Sequence, residues 1–254
     1  MNRRAPMIAG IAFAVLYAAA VVVLHALPGS DPGVLRVQAL LLIFAALALA
    51  VLLAFARDQL DGPPARLFTI GSTLLVAQMC VAIWFTGGAS LRPNQVPAET
   101  ALAIEDVRFF WLPAATIAGI CVAVPILLSA NEDRLPRWIG TGAAIFTVEQ
   151  LIETITIIGP PGSFISPGGP MNHYLGGTLT AAFFLALGIA LSQQWDQSIG
   201  AATSANPATS AEPATSAEPA TSAEPGTAEE TAESAPADAA ATEPEAATEP
   251  VGER

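Results

Sequence analysis

Val37-Gln38-Ala39-Leu40-Leu41-Leu42-Ile43-Phe44-Ala45-Ala46-Leu47-Ala48-Leu49-Ala50-Val51-Leu52-Leu53-Ala54-Phe55-Ala56 runs for twenty residues without a charge, between Arg36 and Arg57. A bilayer core about 30 Å thick is crossed by ~20 apolar residues in a helix. The run shows no period-two alternation, so it is not a strand of a membrane β-barrel. Five more stretches of this kind lie at 6–27, 67–85, 109–130, 138–158 and 174–191, each bounded by charge, Pro or Gly. The expected fold class is therefore all-α, a polytopic transmembrane helix bundle of about six spans. The first stretch carries an Arg pair and Ala18-Ala19-Ala20, but its apolar run continues past them, so a retained signal-anchor helix is expected.

Composition divides the chain in two. Residues 1–196 carry 9 Arg and 11 Asp plus Glu, a net −2, whereas 197–254 carry 1 Arg and 11 Asp plus Glu, a net −10. The acidic part contains Ala202–Pro225, four copies of the unit Ala-Thr-Ser-Ala-Glu-Pro with Asn206 in place of Glu in the first. Proline every sixth residue breaks helices and nothing there builds a core, so 197–254 reads as a disordered acidic tail and 1–196 as the membrane domain. The tail reads as a solvated spacer; docking or phosphorylation is its alternative use.

Several function classes are excluded at once. The chain has no Lys, which rules out a retinal Schiff base and Lys-based covalent catalysis. Two cysteines, Cys80 and Cys121, both inside apolar spans, make neither a disulfide framework nor a Cys-rich zinc site. Phosphate loops, dinucleotide fingerprints, nucleophile elbows and metalloprotease helices are absent. No cofactor, no metal and no nucleic-acid partner is expected; the partner is the lipid bilayer.

Arginines set the expected orientation. With a cytoplasmic N-terminus the inner side holds Arg3, Arg4, Arg57, Arg66, Arg134 and Arg137, and the outer side Arg36, Arg92 and Arg108, six against three. An even number of spans returns the C-terminus to the cytoplasm of a cell or inner membrane. Trp84 and Trp111 then mark outer interfaces, and Trp138 and Trp195 inner ones. Small residues at Ala115, Gly119 and Ala123, and at Ala46, Ala50 and Ala54, are spaced for close helix approach. Pro125 is expected to kink the fourth span.

The fifth span carries the chemistry. In Phe146-Thr147-Val148-Glu149-Gln150-Leu151-Ile152-Glu153-Thr154, Glu149 and Glu153 share a helix face, with Gln150 and Thr154 in a parallel row. At ~1.5 Å per residue from Trp138, Glu149 lies ~16 Å deep, near the midplane. A charge there costs ~2.5–3.5 kcal/mol on insertion scales, so both acids are expected to face other helices or a cavity. Two carboxylates this close in low dielectric are not both ionised. Candidate partners are His173, Arg108, Arg36 and Gln78, with His25 near the outer end of the first span.

The loop from Gly159 to His173 is rich in Gly and Pro. It reads as a connector or as a lid, with Phe164 and Ile165 turned down and Asn172 and His173 near Glu153. In the longer outer loop, Ala98–Arg108 is expected as a short surface helix, and Glu105 and Asp106 beside Arg108 as a solvated helix start. The cysteines are expected in the core.

Three features carry a resemblance: the start Arg4-Ala5-Pro6-Met7-Ile8-Ala9-Gly10-Ile11, the long loop before the fourth span, and Leu135-Pro136-Arg137-Trp138-Ile139-Gly140 following Leu127-Leu128-Ser129. They resemble an uncharacterised, domain-of-unknown-function family of six-helix membrane proteins common in actinobacteria. The likeness spans about 4–192, implies the fold and brings no activity; the Glu149/Glu153 pair departs from its pattern. The function read from the residues is thus an integral membrane protein with a buried polar site. A structural polar knot, a small carrier or proton-coupled permease, a membrane-embedded enzyme on a lipid-like substrate and an accessory subunit all remain open, and whether it is an enzyme is undecided.

Overall fold

A computed structural model describes residues 4–24, 31–91, 97–160 and 162–204. Its elements are α1 (Ala5–Ala18), extended by a π-helical turn (Ala19–Val23), α2 (Pro32–Arg57), α3 (Gly62–Ala89), α4 (Ala98–Asn131), α5 (Arg137–Thr154), ending in a 3-10 turn (Ile155–Ile158), and α6 (Gly177–Ser204), entered through a π-helical turn (Met171–Gly176). Among the described residues there is no strand. Five of the helical segments are long and apolar enough to cross a membrane; in α4 the apolar part with described side chains is Ala115–Asn131. The acidic tail lies outside the described residues, as do His25 and Arg92.

Local chemistry explains the helix ends. Asp31 accepts a hydrogen bond from the Gly33 amide at 2.7 Å and Pro32 opens α2, a pairing suited to the first turn. Gly62 starts α3 at φ 63°, a left-handed conformation that a Cβ disfavours, and Pro63 and Pro64 follow. Asp133 turns α4 into α5 at φ 56°, a region Asp tolerates.

Sequential helices pack as neighbours. α1 lies against α2, α2 against α3, α3 against α4, α4 against α5 and α5 against α6, and α6 returns to α1. The result is a closed ring. Along α2, Leu42, Ala45, Leu49 and Leu52 are buried while Leu40, Phe44, Leu47 and Val51 are exposed. Both faces are apolar because one meets helices and the other is suited to lipid.

Backbone approach sets the ring's diameter. A Cβ on Gly188 would stand 2.7 Å from the Pro6 carbonyl oxygen, so α6 crosses α1 glycine to glycine at Gly10. Gly71 meets the Cys121 backbone between α3 and α4, and Gly140 meets Ala130 between α5 and α4. Inside the ring, Phe13 stacks on Tyr17 and edges Phe184, each at 5.1 Å, and Phe146 stacks on Phe183 at 4.4 Å. These rings join α1, α5 and α6, the offset and edge-on geometries that aromatic quadrupoles favour.

At one end, Arg134 pairs with Asp61 at 2.9 Å and with Glu132 at 3.1 Å, and Arg137 with Asp133 at 2.9 Å. The first of these ties the α2–α3 turn to the α4–α5 turn. All three are exposed, so each contributes about 0–1 kcal/mol.

Three expectations change here. Ala98–Arg108 is not a separate surface helix but the first third of the unbroken α4. Ala46 is buried but Ala54 is exposed, so that stripe drifts off the interface; the buried row follows the 3.6-residue period instead. Cys80 faces outward rather than into the core, and Cys121 is half-buried; both are free. Trp84 and Trp138 are exposed, 77% and 44%, as residues at a lipid interface are, while the side chains of Trp111 and Trp195 lie outside the described residues.

Candidate functional site

α5 is amphipathic in an inverted sense. Ile139, Ala143, Phe146, Glu149, Gln150 and Glu153 turn inward, whereas Ile145, Val148, Leu151, Ile152 and Ile155 turn outward and are about half exposed. A helix in water would place its carboxylates on the outer face; here the outer face is apolar and both acids are buried. Glu149 is 6% exposed, Gln150 5% and Glu153 7%.

Gln150 holds the pair together. Its Nε2 donates to Glu149 Oε2 at 2.8 Å and to Glu153 Oε2 at 3.0 Å, which uses both amide hydrogens. Both carboxyl groups therefore meet at one amide nitrogen. Two carboxyl groups held this close in a low dielectric do not both stay ionised. The other Glu149 oxygen, Oε1, is buried without a hydrogen-bond partner.

Neighbouring helices are shaped around these side chains. A Cβ on Gly119 of α4 would overlap Gln150 Oε1, and a Cβ on Gly176 would overlap Glu153 Oε1. Thr154 donates to the Gln150 carbonyl at 2.9 Å and lies 2.8 Å from the Thr116 hydroxyl of α4. Tyr17 of α1 and Thr180 of α6 stand at the same cavity as Gln150 and Glu153.

These groups surround a cavity of about 40 Å³ in which all six helices take part. Phe13 and Tyr17 line it from α1, Leu49 from α2, Leu75 and Met79 from α3, and Ala115 and Gly119 from α4. Phe146, Gln150 and Glu153 line it from α5, and Asn172, Gly176, Gly177, Thr180 and Phe184 from α6 and its entry turn. A volume of this size holds a water or a small ion; one water needs about 10–15 Å³ by this measure.

The segment before α6 folds back on itself. Ser166 Oγ donates to the Ser163 carbonyl at 2.8 Å, and the Met171 amide to the Phe164 carbonyl at 3.2 Å. Phe164 and Ile165 are 63% and 44% exposed, so they do not point down onto the site; the apolar surroundings of a membrane boundary satisfy them where they are. Met171, Asn172 and His173 turn inward instead. Asn172 Nδ2 donates to Thr156 Oγ1 at 3.3 Å, and that hydroxyl donates to the Glu153 carbonyl at 2.7 Å.

The proposed partners fall into three groups. Asn172 lines the cavity with Glu153, and His173 is buried one residue on, with Nδ1 3.3 Å from the Gly169 carbonyl. Arg36 is elsewhere: its Nη2 donates to the Ser90 carbonyl at 3.3 Å, a contact between α2 and the end of α3. Gln78 is half-buried on α3 and takes no part in the hydrogen bonds of the pair. The Arg108 side chain lies outside the described residues. Among the described residues no three His, Cys, Asp or Glu side chains converge as metal ligands.

Sequence reasoning missed Tyr17, Thr116, Thr156 and Thr180. Tyr17 and Thr180 carried a legible signal, a polar group inside an apolar span. The glycines at 119 and 176 carried none, because only the partner helix shows what their missing side chains make room for.

Fold and site together define an all-α polytopic membrane bundle with a carboxyl pair buried at its centre. No family model, curated protein or solved structure matches the chain.

Proposed function

We propose that the bundle is a small proton-coupled carrier of the cell membrane, with Glu149 and Glu153 holding the coupling proton. The observation that carries this reading is a buried carboxyl pair held by one amide beside a cavity lined by all six helices. A site reached from every helix is one that relative helix movement opens or closes. Among the described residues the ion pairs between side chains lie at the Arg134 end. The excess of arginine on one side supports a cytoplasmic N-terminus and C-terminus. Membership of the six-helix family resembled by residues 4–192 is part of the same proposal.

The cavity volume favours a proton over a lipid-like substrate, which does not fit in about 40 Å³. A second reading has its own support: the fully used Gln150 amide makes the cluster a polar tie between helices. Proteoliposomes loaded with a pH-sensitive dye separate the two. In wild type, an imposed pH gradient should collapse on addition of one solute from a panel of alkali cations, small amines and small carboxylates. Glu149→Gln and Glu153→Gln should abolish the collapse while keeping Tm within a few degrees. Unchanged flux with a sharply lowered Tm establishes the structural tie instead, and a wild type indistinguishable from empty liposomes against every solute overturns the carrier.

A further inference from the structure

The amide of Asn172 has only one self-consistent orientation. Thr156 Oγ1 spends its single hydrogen on the Glu153 carbonyl at 2.7 Å. It can therefore only accept from Asn172, which requires Nδ2 on that side. Oδ1 is thereby turned away from Thr156, and it is buried without a hydrogen-bond partner on a residue 1% exposed that lines the cavity. A buried acceptor left in this way costs about 1–3 kcal/mol, so it calls for a donor or a cation.

The rest of the lining has the same bias. Both hydrogens of Gln150 Nε2 are directed to carboxylate oxygens, so that amide offers nothing to an anion. Glu153 presses against the backbone of the entry turn at Gly176, where a Cβ would displace it, and lines the cavity together with Asn172 of that turn. Tyr17 and Thr180 add hydroxyl oxygens. These oxygen ligands outnumber the single thioether of Met79 in the lining and favour a hard cation. A divalent ion asks for six or more ligands, more than Glu153, Asn172 and two hydroxyls supply.

We propose that this cavity binds one dehydrated monovalent cation of about the size of Na⁺, coordinated by Glu153 and Asn172 Oδ1. The cation enters in exchange for one proton carried by the Glu149/Glu153 pair. The inference deepens the carrier reading and rests on it. Charge balances: the singly protonated pair and the cation-loaded, deprotonated pair with its ion have the same net charge, and the displaced proton goes to solvent. The titratable groups around Glu153 are Glu149 on its own helix, Tyr17 from α1 and His173 on the turn into α6. The described residues that α2, α3 and α4 bring to the cavity are not ionisable.

The test is equilibrium binding of radioactive Na⁺ to the purified full-length protein in detergent, with choline as the inert control. Wild type should bind saturably, weakening about tenfold per pH unit on the acid side, as displacement of one proton per ion demands. Asn172→Leu, similar in volume, should weaken binding at least tenfold, and Glu153→Gln should abolish it. If the leucine variant fails to fold, Asn172→Ser, with a more distant oxygen, should show the same loss. Absence of saturable binding in wild type, or binding unchanged in the folded Asn172 variant, overturns the proposal. Should another solute collapse the gradient in vesicles without Na⁺ binding, the cation assignment fails and the carrier stands. Should Na⁺ bind as described without any flux, the cation site stands and the carrier fails.

Discussion

Gln150 is the residue on which the site turns, because its amide nitrogen bonds to both acids. Replacing it by Leu removes two charge-assisted hydrogen bonds and leaves the carboxyl groups buried without them, a loss of about 2–4 kcal/mol. We expect Gln150→Leu to lower Tm well below that of Gln150→Glu, which keeps a polar partner, measured by thermal unfolding in detergent. Gly176 is the second decisive position. Gly176→Ala forces a Cβ against Glu153 and should cost about 1–3 kcal/mol through overpacking, while Ala substitution at Gly62, where nothing lies near the new Cβ, is opposed only by its positive φ. Neither effect was legible in the residues alone. A glycine in an apolar span signals close approach, but not which side chain fills the space.

Among elements, α5 and α6 differ most from a generic span. The Glu149/Glu153 face was readable because i and i+4 share one side of a helix, and burial follows from the cost of charge in lipid. The π-helical turns at Ala19–Val23 and Met171–Gly176 were not readable, since no residue pattern distinguishes them from α-helix. They lie against one another, and Gly177 packs on Val21 and Val22. Extra residues per turn of this kind are frequent at functional sites. The α1–α6 crossing depends on Gly10 and Gly188. Gly188→Leu should separate these helices, and with them the Phe13–Phe184 contact, so that detergent-solubilised protein loses its monodisperse elution or its Tm falls by many degrees. Leucine on the outer face, at Ile145, should leave both unchanged.

On the scale of the whole molecule, topology is the testable claim. With both native cysteines replaced, a cysteine at Asp58 or Glu132 should react with an impermeant maleimide only in inside-out vesicles, and one at Ser163 only in right-side-out vesicles. The opposite pattern reverses the orientation drawn from the arginines. The Arg134 end also carries an acid-sensitive contact. Hydrogen bonding from Arg137 holds the Asp133 carboxyl below the usual carboxylate range. A group depressed in this way adds stability above its unfolded pKa of ~3.9, lost as pH falls through the lower folded value. Because the pair is fully exposed, Arg137→Gln should lower Tm only slightly at neutral pH, and the difference from wild type should vanish as pH falls through the folded value.

The amino-acid sequence by itself determined the number and type of the spans, the acidic helix and its buried face. Each follows from a one-dimensional rule, namely the length needed to cross hydrocarbon, the period of a helix and the cost of charge in lipid. Tertiary structure alone decided which groups meet there. Arg36 is drawn to the Ser90 carbonyl instead of the acids, Phe164 stays outward, and Tyr17, Thr180 and Asn172 converge on Glu153 from helices far apart in the chain. The reason is geometric. Closing six helices into a ring brings together residues whose separation along the chain carries no record of their distance in space, and the glycines that permit the closure announce themselves only by what their partners fill.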